Sequence, residues 1–391
     1  MPAIVSKLDP ASAAFAANTQ RMAERLAEVQ RLEGLVIAES ESKRARFEQR
    51  GQLLPRERVA RLLDRGSGFL ELSRLAGLNM HDDDGRKAVL GGGSIVGIGT
   101  VAGKRVLISA SDSGVKGGTV APMGLKKALR AQEIARENKL PLVYLVESGG
   151  ANLMYQAEIF VDGGRSFANQ ARLSAAGIPQ IAVVHGSSTA GGAYLPGLSD
   201  YVVLVRGRSS IYLAGPPLVK AAIGEDATDE ELGGAQTHAE VTGLGEYLCE
   251  NDAHAIALTR ELLDKLPWEA AGAARPFAEP LFDEEELMGI VPADEREPYD
   301  VREVIARLVD GRLRVDRVER RKLDRRHIKA RCLGLLNEDL GGLLVQAADE
   351  MPGHVERVHH GTKFAGRVGM RNIGSRLIDK YTYGLDGIWY V

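Results

Sequence analysis

The sequence predicts an α/β fold in which parallel strands alternate with helices, with helices before this body and a tail of different composition after it. Three observations support this. Strand-like and helix-like apolar runs alternate between residues 89 and 290. Residues 11–64 carry helical periodicity, and residues 312–391 carry an excess of basic side chains. We expect domains at residues 1–74, 75–311 and 312–391.

Composition limits the class of protein. The chain has 391 residues, a net charge of −3 and 44% hydrophobic residues, values ordinary for a soluble globular protein. No apolar run approaches the ~20 residues that cross a bilayer, and the first residues lack the pattern of a secretory signal. Because Cys249 and Cys332 are the only cysteines, a disulfide framework and a multi-cysteine zinc site are excluded. We expect two inert thiols in a cytoplasmic protein, or a mitochondrial matrix protein if the source is eukaryotic.

The first elements are helical. The run "TQRMAERLAEVQRLEGLV" places Met22, Leu26, Val29 and Leu32 at three-to-four spacing, which predicts an amphipathic helix. After Pro55, "LLPRERVARLLD" repeats the pattern. These runs predict the N-terminal helical extension.

The body begins with a hairpin and continues with alternating elements. "SIVGIGTVAGKRVLISASD" predicts two strands that turn at Ala102–Gly103. "GLKKALRAQEIARENK" predicts an amphipathic helix, "LPLVYLVES" a buried strand, and "GRSFANQARLSAAG" a helix that ends at Gly177. "IPQIAVV" and "YVVLV" predict further strands, and "PPLVKAAIG" a helix. Such alternation favours parallel strands joined by right-handed crossovers. Residues 267–311 are predicted to be a connector that ends in the helix "DVREVIARLVDG".

Two glycine-rich segments each follow a buried strand. "GGANL" follows the predicted strand "LPLVYLVES" (140–148), and "HGSSTAGGAYL" follows the strand at 178–184. Ligands of open α/β folds bind at the carboxyl ends of strands. A helix that begins near Ala190 would leave the N–H groups of Gly191 and Gly192 unpaired, and such donors can stabilise a developing negative charge. An oxyanion hole is therefore one interpretation. A phosphate cradle and tight packing of small residues are the others, although no phosphate-loop or dinucleotide fingerprint is present.

Several segments together resemble one family, the carboxyltransferase (beta) subunits of biotin-dependent acyl-CoA carboxylases. They are "LLPRERVARLLDRGSGFLEL", the long run from "GGGSIVGIGT" to "VESGGANL", "GRSFANQ", "GSSTAGGAYLPGLSD", "IYLAGPPLVKAAIGED", "LGGAQTH" and "DVREVIARLVDG". The match is collinear over residues 15–311 and is most similar to the methylcrotonoyl-CoA and geranoyl-CoA branch.

The resemblance implies a crotonase-like (ClpP/crotonase) ββα superhelix that holds an acyl-CoA. It implies transfer of a carboxyl group from biotin, carried on a biotin carboxylase/biotin carrier partner, in leucine or isoprenoid catabolism. It further implies a homo-oligomer, no metal and no side-chain nucleophile, and it gives no reason to expect nucleic-acid or membrane partners.

The family motif assigns the enolate-stabilising oxyanion hole to Gly191 and Gly192. The same resemblance implies that Ser148, Gly149, Gly150 and Ala151 line the thioester and pantetheine, and Ala190 is expected to bind the substrate beside them. CoA also carries phosphates, and "VKGG" offers Lys116, Gly117 and Gly118 as a cation near glycine that could bind them. The helix that carries Lys126, Lys127 and Arg130 offers further cations near glycine, with one or two expected at the ligand and the others on a solvated face.

Other polar residues have less specific interpretations. Ser187, Ser188 and Thr189 suggest a serine hydrolase, but no G-x-S-x-G elbow is present, and His185 is expected to be a packed or capping residue. Lys220 could bind ligand or lie on the surface, and His238 is expected to be structural.

The region after Gly311 departs from the family. The resemblance would continue into a second crotonase-like half that binds biotin, whereas "RLRVDRVERRKLDRRHIKAR" (312–331) contains ten basic and three acidic residues. A solvated helix or partner-facing segment is the preferred interpretation of this run, with nucleic-acid binding as the alternative. We expect residues 312–391 to be weakly ordered and not to complete the site. A catalytically silent acyl-CoA-binding or assembly module, and a crotonase-type hydrolase or decarboxylase, therefore remain open beside a carboxyltransferase.

Overall fold

The structure, a computed structural model, describes residues 5–80, 88–268, 279–292, 294 and 296–308. These residues belong to two compact units. One unit contains the described residues of 5–32 and 279–308, and the other contains those of 33–268. The expected domain boundaries stay predictions, and the expectations for the tail and for Cys332 lie outside the described residues.

The α-helices of the described ranges are α1 (Ala13–Glu41), α2 (Arg44–Gln49), α3 (Pro55–Leu62), α4 (Pro122–Asn138), α5 (Gln156–Ala175), α6 (Tyr194–Gly197), α7 (Pro216–Ile223), α8 (Asp229–Gly233), α9 (Asp252–Lys265), α10 (Leu287–Ile290) and α11 (Val301–Leu308). The strands are β1 (Phe69–Leu72), β2 (Ser94–Val101), β3 (Lys104–Ser111), β4 (Leu142–Ser148), β5 (Gln180–Thr189), β6 (Tyr201–Val205), β7 (Ser210–Tyr212) and β8 (Tyr247–Cys249). Short 3₁₀ helices include Lys116–Gly118, Leu153–Tyr155 and Ala190–Ala193.

The eight strands of the described residues form one sheet in the order β1-β2-β3-β4-β5-β6-β8, and β7 pairs with β5. The β1–β2 and β2–β3 pairs are antiparallel, and the pairs from β3 onward are parallel. The predicted hairpin is confirmed, since Val101 pairs with Lys104 across Ala102 (φ 49°) and Gly103 (φ 71°). The parallel strands bring their carboxyl ends to one edge of the sheet, where the two predicted glycine-rich segments lie.

Helices cover both faces of the sheet. Along β4, Val143 and Leu145 pack into a cluster with Leu62 of α3 and Leu263 of α9. On the other face, Tyr144 packs into a cluster that includes helical side chains of α4 and α5. Strands buried on both faces read as continuous apolar runs, which explains why "LPLVYL" and "IAVV" show no alternation.

The predicted elements of the body are confirmed, including the end of α5 before Gly177 (φ 69°). The strand predicted at "IPQIAVV" is longer than expected, because β5 continues to Thr189. The sequence did not predict the strands β1, β7 and β8 or the helices α8, α9 and α10.

In the unit formed by residues 5–32 and 279–308, one ionic cluster joins segments distant in sequence. Glu303 of α11 accepts hydrogen bonds from the Ser6 hydroxyl (2.6 Å) and the Lys7 amide (2.7 Å). Arg307 is 1% exposed and donates to Glu303 (2.9 Å) and to Glu286. The helix α11 (Val301–Leu308), which covers the described part of the predicted helix "DVREVIARLVDG", is thus held by ion pairs. Within the described ranges, no helix combines the length and apolarity needed to span a membrane.

Candidate active site at the carboxyl ends of β4 and β5

The register between β4 and β5 breaks where the site begins. Val146 pairs with Val184, and the next pair is Ser148 with Ser188. One residue of β4, Glu147, therefore lies opposite three residues of β5, His185, Gly186 and Ser187. From Ser187, the last residue of the bulge, to Thr189, β5 also pairs with β7. Bulges are frequent next to active sites, where they change the direction of the chain. Here the bulge lies just before the small-residue segment Ser188–Ala193.

The first of the two loops, Ser148–Ala151, is bonded to the "VKGG" segment. The Ser148 hydroxyl donates to the Gly118 carbonyl (2.8 Å) and accepts from the Gly150 amide (3.2 Å). The Val120 amide donates to the Gly150 carbonyl (2.9 Å). A Cβ atom on Gly118, whose φ is 68°, would lie 2.1 Å from the Glu147 carbonyl oxygen. The structure therefore brings together the predicted residues Lys116–Gly118 and Ser148–Ala151.

The second loop, Thr189–Gly192, contacts the first. A Cβ atom on Gly150 would lie 3.2 Å from the Thr189 carbonyl oxygen, and one on Gly192 would lie 3.9 Å from the Ser148 hydroxyl. A 3₁₀ helix begins at Ala190 (φ 52°), as the sequence predicted, and α6 continues it. Amides at the start of a helix have no acceptor one turn earlier. Gly192 thus lies beside Ser148, and the N–H groups of Gly191 and Gly192 belong to the first turn of this helix.

A cavity of about 210 Å³ opens beside the first loop. Its lining includes Glu147–Gly149 and Ser187, together with three cations, Lys43, Arg46 and Arg50. Among the described residues, neither Arg46 nor Arg50 is ion-paired to a carboxylate, whereas the Lys43 ammonium lies 3.8 Å from Glu39. The cavity therefore presents positive charge next to the glycine backbone.

An open hollow of about 650 Å³ lies beside the second loop. Its lining begins at Thr189 and Ala190, continues along residues 212–218 and includes Asp229. Leu213 and Leu218 are 64% and 59% exposed there. The two hollows meet β5 at Ser187 and at Thr189–Ala190, so the site has a cationic side and an apolar side.

A largely buried charge network (Arg58, Glu147, His185 and Asp252), in which only the Glu147 side chain is partly exposed (13%), lies behind the bulge. Arg58 is 1% exposed and donates to Glu147 (2.6 Å) and to Asp252 (3.2 Å). The Nδ1 atom of His185 lies 2.9 Å from Asp252. Because carboxylates only accept hydrogen bonds when ionised, Nδ1 carries the proton. The network joins α3, β4, β5 and α9 directly beneath the site.

The surroundings set the charges of this network. Burial and the neighbouring Arg58 charge hold the pKa of His185 below its ordinary value, so the imidazole is neutral at pH 7. Burial raises the pKa of Asp252, but hydrogen bonds from His185 and from the Leu53 amide, with the charge of Arg58, outweigh it and bring this pKa to about 2. Asp252 is therefore ionised under all ordinary conditions.

The geometry does not support a serine nucleophile. Within the part of the chain that the structure describes, the buried Nε2 atom of His185 has no hydrogen-bond partner, so no serine lies within reach of it. The Ser188 hydroxyl donates to the Gly192 carbonyl (3.0 Å). His185 is packed, as expected, and Ser188 orders the second loop.

Two of the expected cations are placed differently by the structure. Lys127 is 3% exposed and donates to the carbonyls of Gly91 (3.0 Å) and Ser94 (2.7 Å), and Arg130 is 6% exposed. Neither residue lies on a solvated face. The exposed Lys220 pairs with Asp226 (2.6 Å). His238 hydrogen-bonds Thr242 and the Ile211 carbonyl, both at 2.8 Å, in accord with a structural role.

Sequence reasoning missed Lys43, Arg46 and Arg50, and it missed the charge network. The run "LLPRERVARLLD" predicted a helix, but nothing local marks Arg58 as buried. The partner carboxylates follow 89 and 194 residues later. In the described ranges, no cluster of three or more His, Cys, Asp or Glu side chains is arranged to hold a metal ion. Burial raises the pKa of the Cys249 thiol to about 11, so this thiol is protonated, as expected.

Comparison with known proteins adds a family match. Residues 46–326 match the carboxyl transferase domain model. The chain is 49% identical over 308 residues to a probable biotin-dependent acyl-coenzyme A carboxylase beta2 subunit of Mycobacterium tuberculosis, covering 78% of this chain and 57% of that protein. It is 48% identical over 310 residues to the mitochondrial methylcrotonoyl-CoA carboxylase beta chain of Dictyostelium discoideum, covering 78% of this chain and 52% of that protein.

A solved structure is also similar. The crystal structure of the P. aeruginosa geranyl-CoA carboxylase beta subunit superposes with a TM-score of 0.73 at 59% identity, covering 79% of this chain and 58% of that chain. The chain therefore spans little more than half the length of the proteins it matches.

Proposed function

The chain belongs to the carboxyl transferase family, and on this premise we propose that it binds the acyl-CoA of a biotin-dependent acyl-CoA carboxylase and stabilises the enolate of the thioester. Its fold is the crotonase-like α/β fold of the carboxyltransferases. The observation that carries the proposal is the contact between the Ser148–Ala151 and Thr189–Gly192 loops at the carboxyl ends of β4 and β5.

The chemistry requires stabilisation of negative charge on a thioester oxygen. Removal of a proton from the carbon next to the thioester, or conjugated with it, produces an enolate. The amides of Gly191 and Gly192 would donate to this oxygen, and removal of one such donor costs about 3–4 kcal/mol in comparable sites. Glycine suits these positions, because a side chain would occupy the space of the carbonyl. Ser148 and Gly118 hold the opposite loop in place for the pantetheine arm.

The two sides of the site suit the two ends of an acyl-CoA. The phosphates would face Arg46 and Arg50, two cations in the lining of the 210 Å³ cavity that pair with no carboxylate among the described residues. Lys43, which lies 3.8 Å from Glu39, also lines this cavity. The acyl group would face the apolar hollow that begins at Ala190. An isoprenoid or branched acyl group of the methylcrotonoyl or geranoyl type fits this lining, and the names of the relatives support the same class.

Biotin, carried on a biotin carboxylase/biotin carrier partner, would supply the carboxyl group. The described residues contain one pair of converging glycine-rich loops, which we assign to the thioester, so we assign none of these residues to biotin. We propose a homo-oligomer that acts in the cytoplasm, or in the mitochondrial matrix if eukaryotic.

Calorimetric titration of the chain with CoA, a five-carbon branched acyl-CoA and a ten-carbon isoprenoid acyl-CoA tests the proposal. We expect all three to bind, and the acyl-CoAs to bind more tightly because the apolar hollow adds contacts. Acyl-CoA-dependent decarboxylation of carboxybiotin, with and without an added second carboxyltransferase half, then separates a carboxyltransferase from a silent binding module. Absence of binding by all three ligands would overturn the proposal.

A further inference from the structure

We propose that Arg58, Glu147 and Asp252 are positioning residues that set the alignment of the two site loops through the bulge in β5. The inference rests on the proposed function of those loops. None of the three residues is required to touch the thioester, because each acts through the register of β4 against β5.

Backbone hydrogen bonds between β4 and β5 are interrupted at the bulge, so other contacts must stabilise it. Two extra residues of β5 are accommodated between the Val146–Val184 pair and the Ser148–Ser188 pair. Glu147 fills this space, since a Cβ atom on Gly186 would lie 2.8 Å from the Glu147 Cγ and 3.2 Å from its Oε1. The Gln52 amide donates to Glu147 (3.4 Å) and to the bulged His185 carbonyl (3.3 Å). Side chains thus replace the backbone pairing that the bulge removes.

Ion pairs hold the Glu147 side chain in the bulge. Glu147 is held by Arg58 (2.6 Å), and Arg58 is held by Asp252 (3.2 Å) at the first turn of α9. Asp252 also binds His185 (2.9 Å), the first bulged residue. The network therefore contacts the bulge through a residue of each strand, Glu147 of β4 and His185 of β5. A buried pair that loses one partner leaves the other charge uncompensated, so its geometry is strongly specified.

The consequence for the site follows from the loops themselves. Ser148 immediately follows Glu147, and Ser188–Gly192 follow the bulge. A shift at the bulge would therefore move the Gly191 and Gly192 amides relative to Ser148. Electrostatic stabilisation of an oxyanion depends on donor placement to within a few tenths of an ångström, whereas general affinity for CoA does not.

Two ligands distinguish positioning from simple stability. The probes are CoA itself and a CoA thioether that carries a nitronate group, whose charge distribution resembles that of an enolate. We expect the unsubstituted chain to prefer the nitronate. The substitution Asp252→Asn keeps the shape of the side chain, and Asp252 does not line the cavity. It should leave affinity for CoA nearly unchanged and reduce the preference for the nitronate on the order of tenfold or more. Glu147→Gln, a second variant, should also reduce the preference for the nitronate. Because Glu147 lines the cavity, this variant is judged on the ratio of the two affinities and not on the affinity for CoA alone.

The control is a matched buried carboxylate on a distant strand. Glu71 of β1 is 3% exposed and binds Arg56 (2.8 Å) and Arg74 (2.9 Å). Glu71→Gln should lower the melting temperature but preserve the preference for the nitronate. If Asp252→Asn and Glu147→Gln keep the same preference as Glu71→Gln, the positioning role is overturned. If the unsubstituted chain binds neither ligand, the proposed function itself fails, which is a different result.

Discussion

Glu147 and Gly186 face each other across the β4–β5 bulge so closely that an ideal Cβ atom on Gly186 would lie 2.8 Å from the Cγ of Glu147. The Glu147 side chain cannot move away from Gly186 without breaking its ion pair, because the Arg58 Nη1 atom lies 2.6 Å from the Glu147 carboxylate. The absence of a side chain at position 186 is therefore a condition for the buried charge network and for the alignment of the loops.

Gly186→Ala should lower the free energy of unfolding by about 1–3 kcal/mol, because overpacking at a rigid site displaces the surrounding side chains. Gly163 of α5 is the control, since nothing lies within 4 Å of its Cβ position. Gly163→Ala should stabilise the protein by about 0.5–1 kcal/mol through helix propensity. Urea denaturation of both variants measures the difference, and equal effects would contradict the close packing at Gly186.

Gly192→Val should abolish most binding of acyl-CoA and leave folding largely intact. The nearest atoms to a Cβ at this position are the hydroxyls of Ser188 (3.7 Å) and Ser148 (3.9 Å) and the Cβ of Ser148 (4.0 Å), so the first carbon of the new side chain makes only ordinary van der Waals contacts. The branched side chain would instead occupy the space of the thioester carbonyl. Calorimetry measures the loss. Lys220→Ala is the control and should cost about 1 kcal/mol of binding or less, because a single exposed cation contributes little. Equal losses in the two variants would contradict the placement of the oxyanion hole.

The double substitution Arg46→Ala with Arg50→Ala should weaken binding of CoA by about tenfold, since exposed cations contribute up to about 1 kcal/mol each. Binding of a pantetheine thioester, which lacks the nucleotide phosphates, should be unchanged. The loss should also shrink at high salt, because screening weakens exposed charge pairs. Arg136→Ala removes an exposed cation that does not line the cavity and should have no effect. Equal weakening for CoA and the pantetheine thioester would place the phosphates elsewhere.

Lys127 should make stability depend on pH above neutrality. Burial lowers the pKa of Lys127 from its ordinary 10.5 to about 8 in the folded chain. Between pH 8 and about 10.5 the unfolded chain binds more protons at this residue than the folded chain does, so its contribution to the free energy of unfolding rises with pH. Denaturation at pH 7.5 and 9.5 measures this rise. Lys127→Met removes the titrating group, and an identical pH dependence in that variant would contradict the prediction.

Local pattern was sufficient for most elements of the body. The hairpin at Ala102–Gly103, the helices α4 and α5 and the strands β4 and β5 follow from periodicity, apolar runs and glycine at turns. The two glycine-rich segments were also found, because parallel strands necessarily bring their carboxyl ends to one edge. The roles of Gly191, Gly192 and Ser148–Ala151 rest on the family resemblance and remain proposals.

Tertiary structure alone decided which charges are buried and which face the site. Arg58 and Lys127 look like surface residues of amphipathic helices, yet each is almost fully buried, and Arg58 meets carboxylates 89 and 194 residues away. Periodicity reports only neighbours within a few residues, so it cannot show partners supplied by β4 and α9. For the same reason the β5 bulge could not be predicted from the sequence, because its two extra residues are defined only by the pairing of β5 with β4.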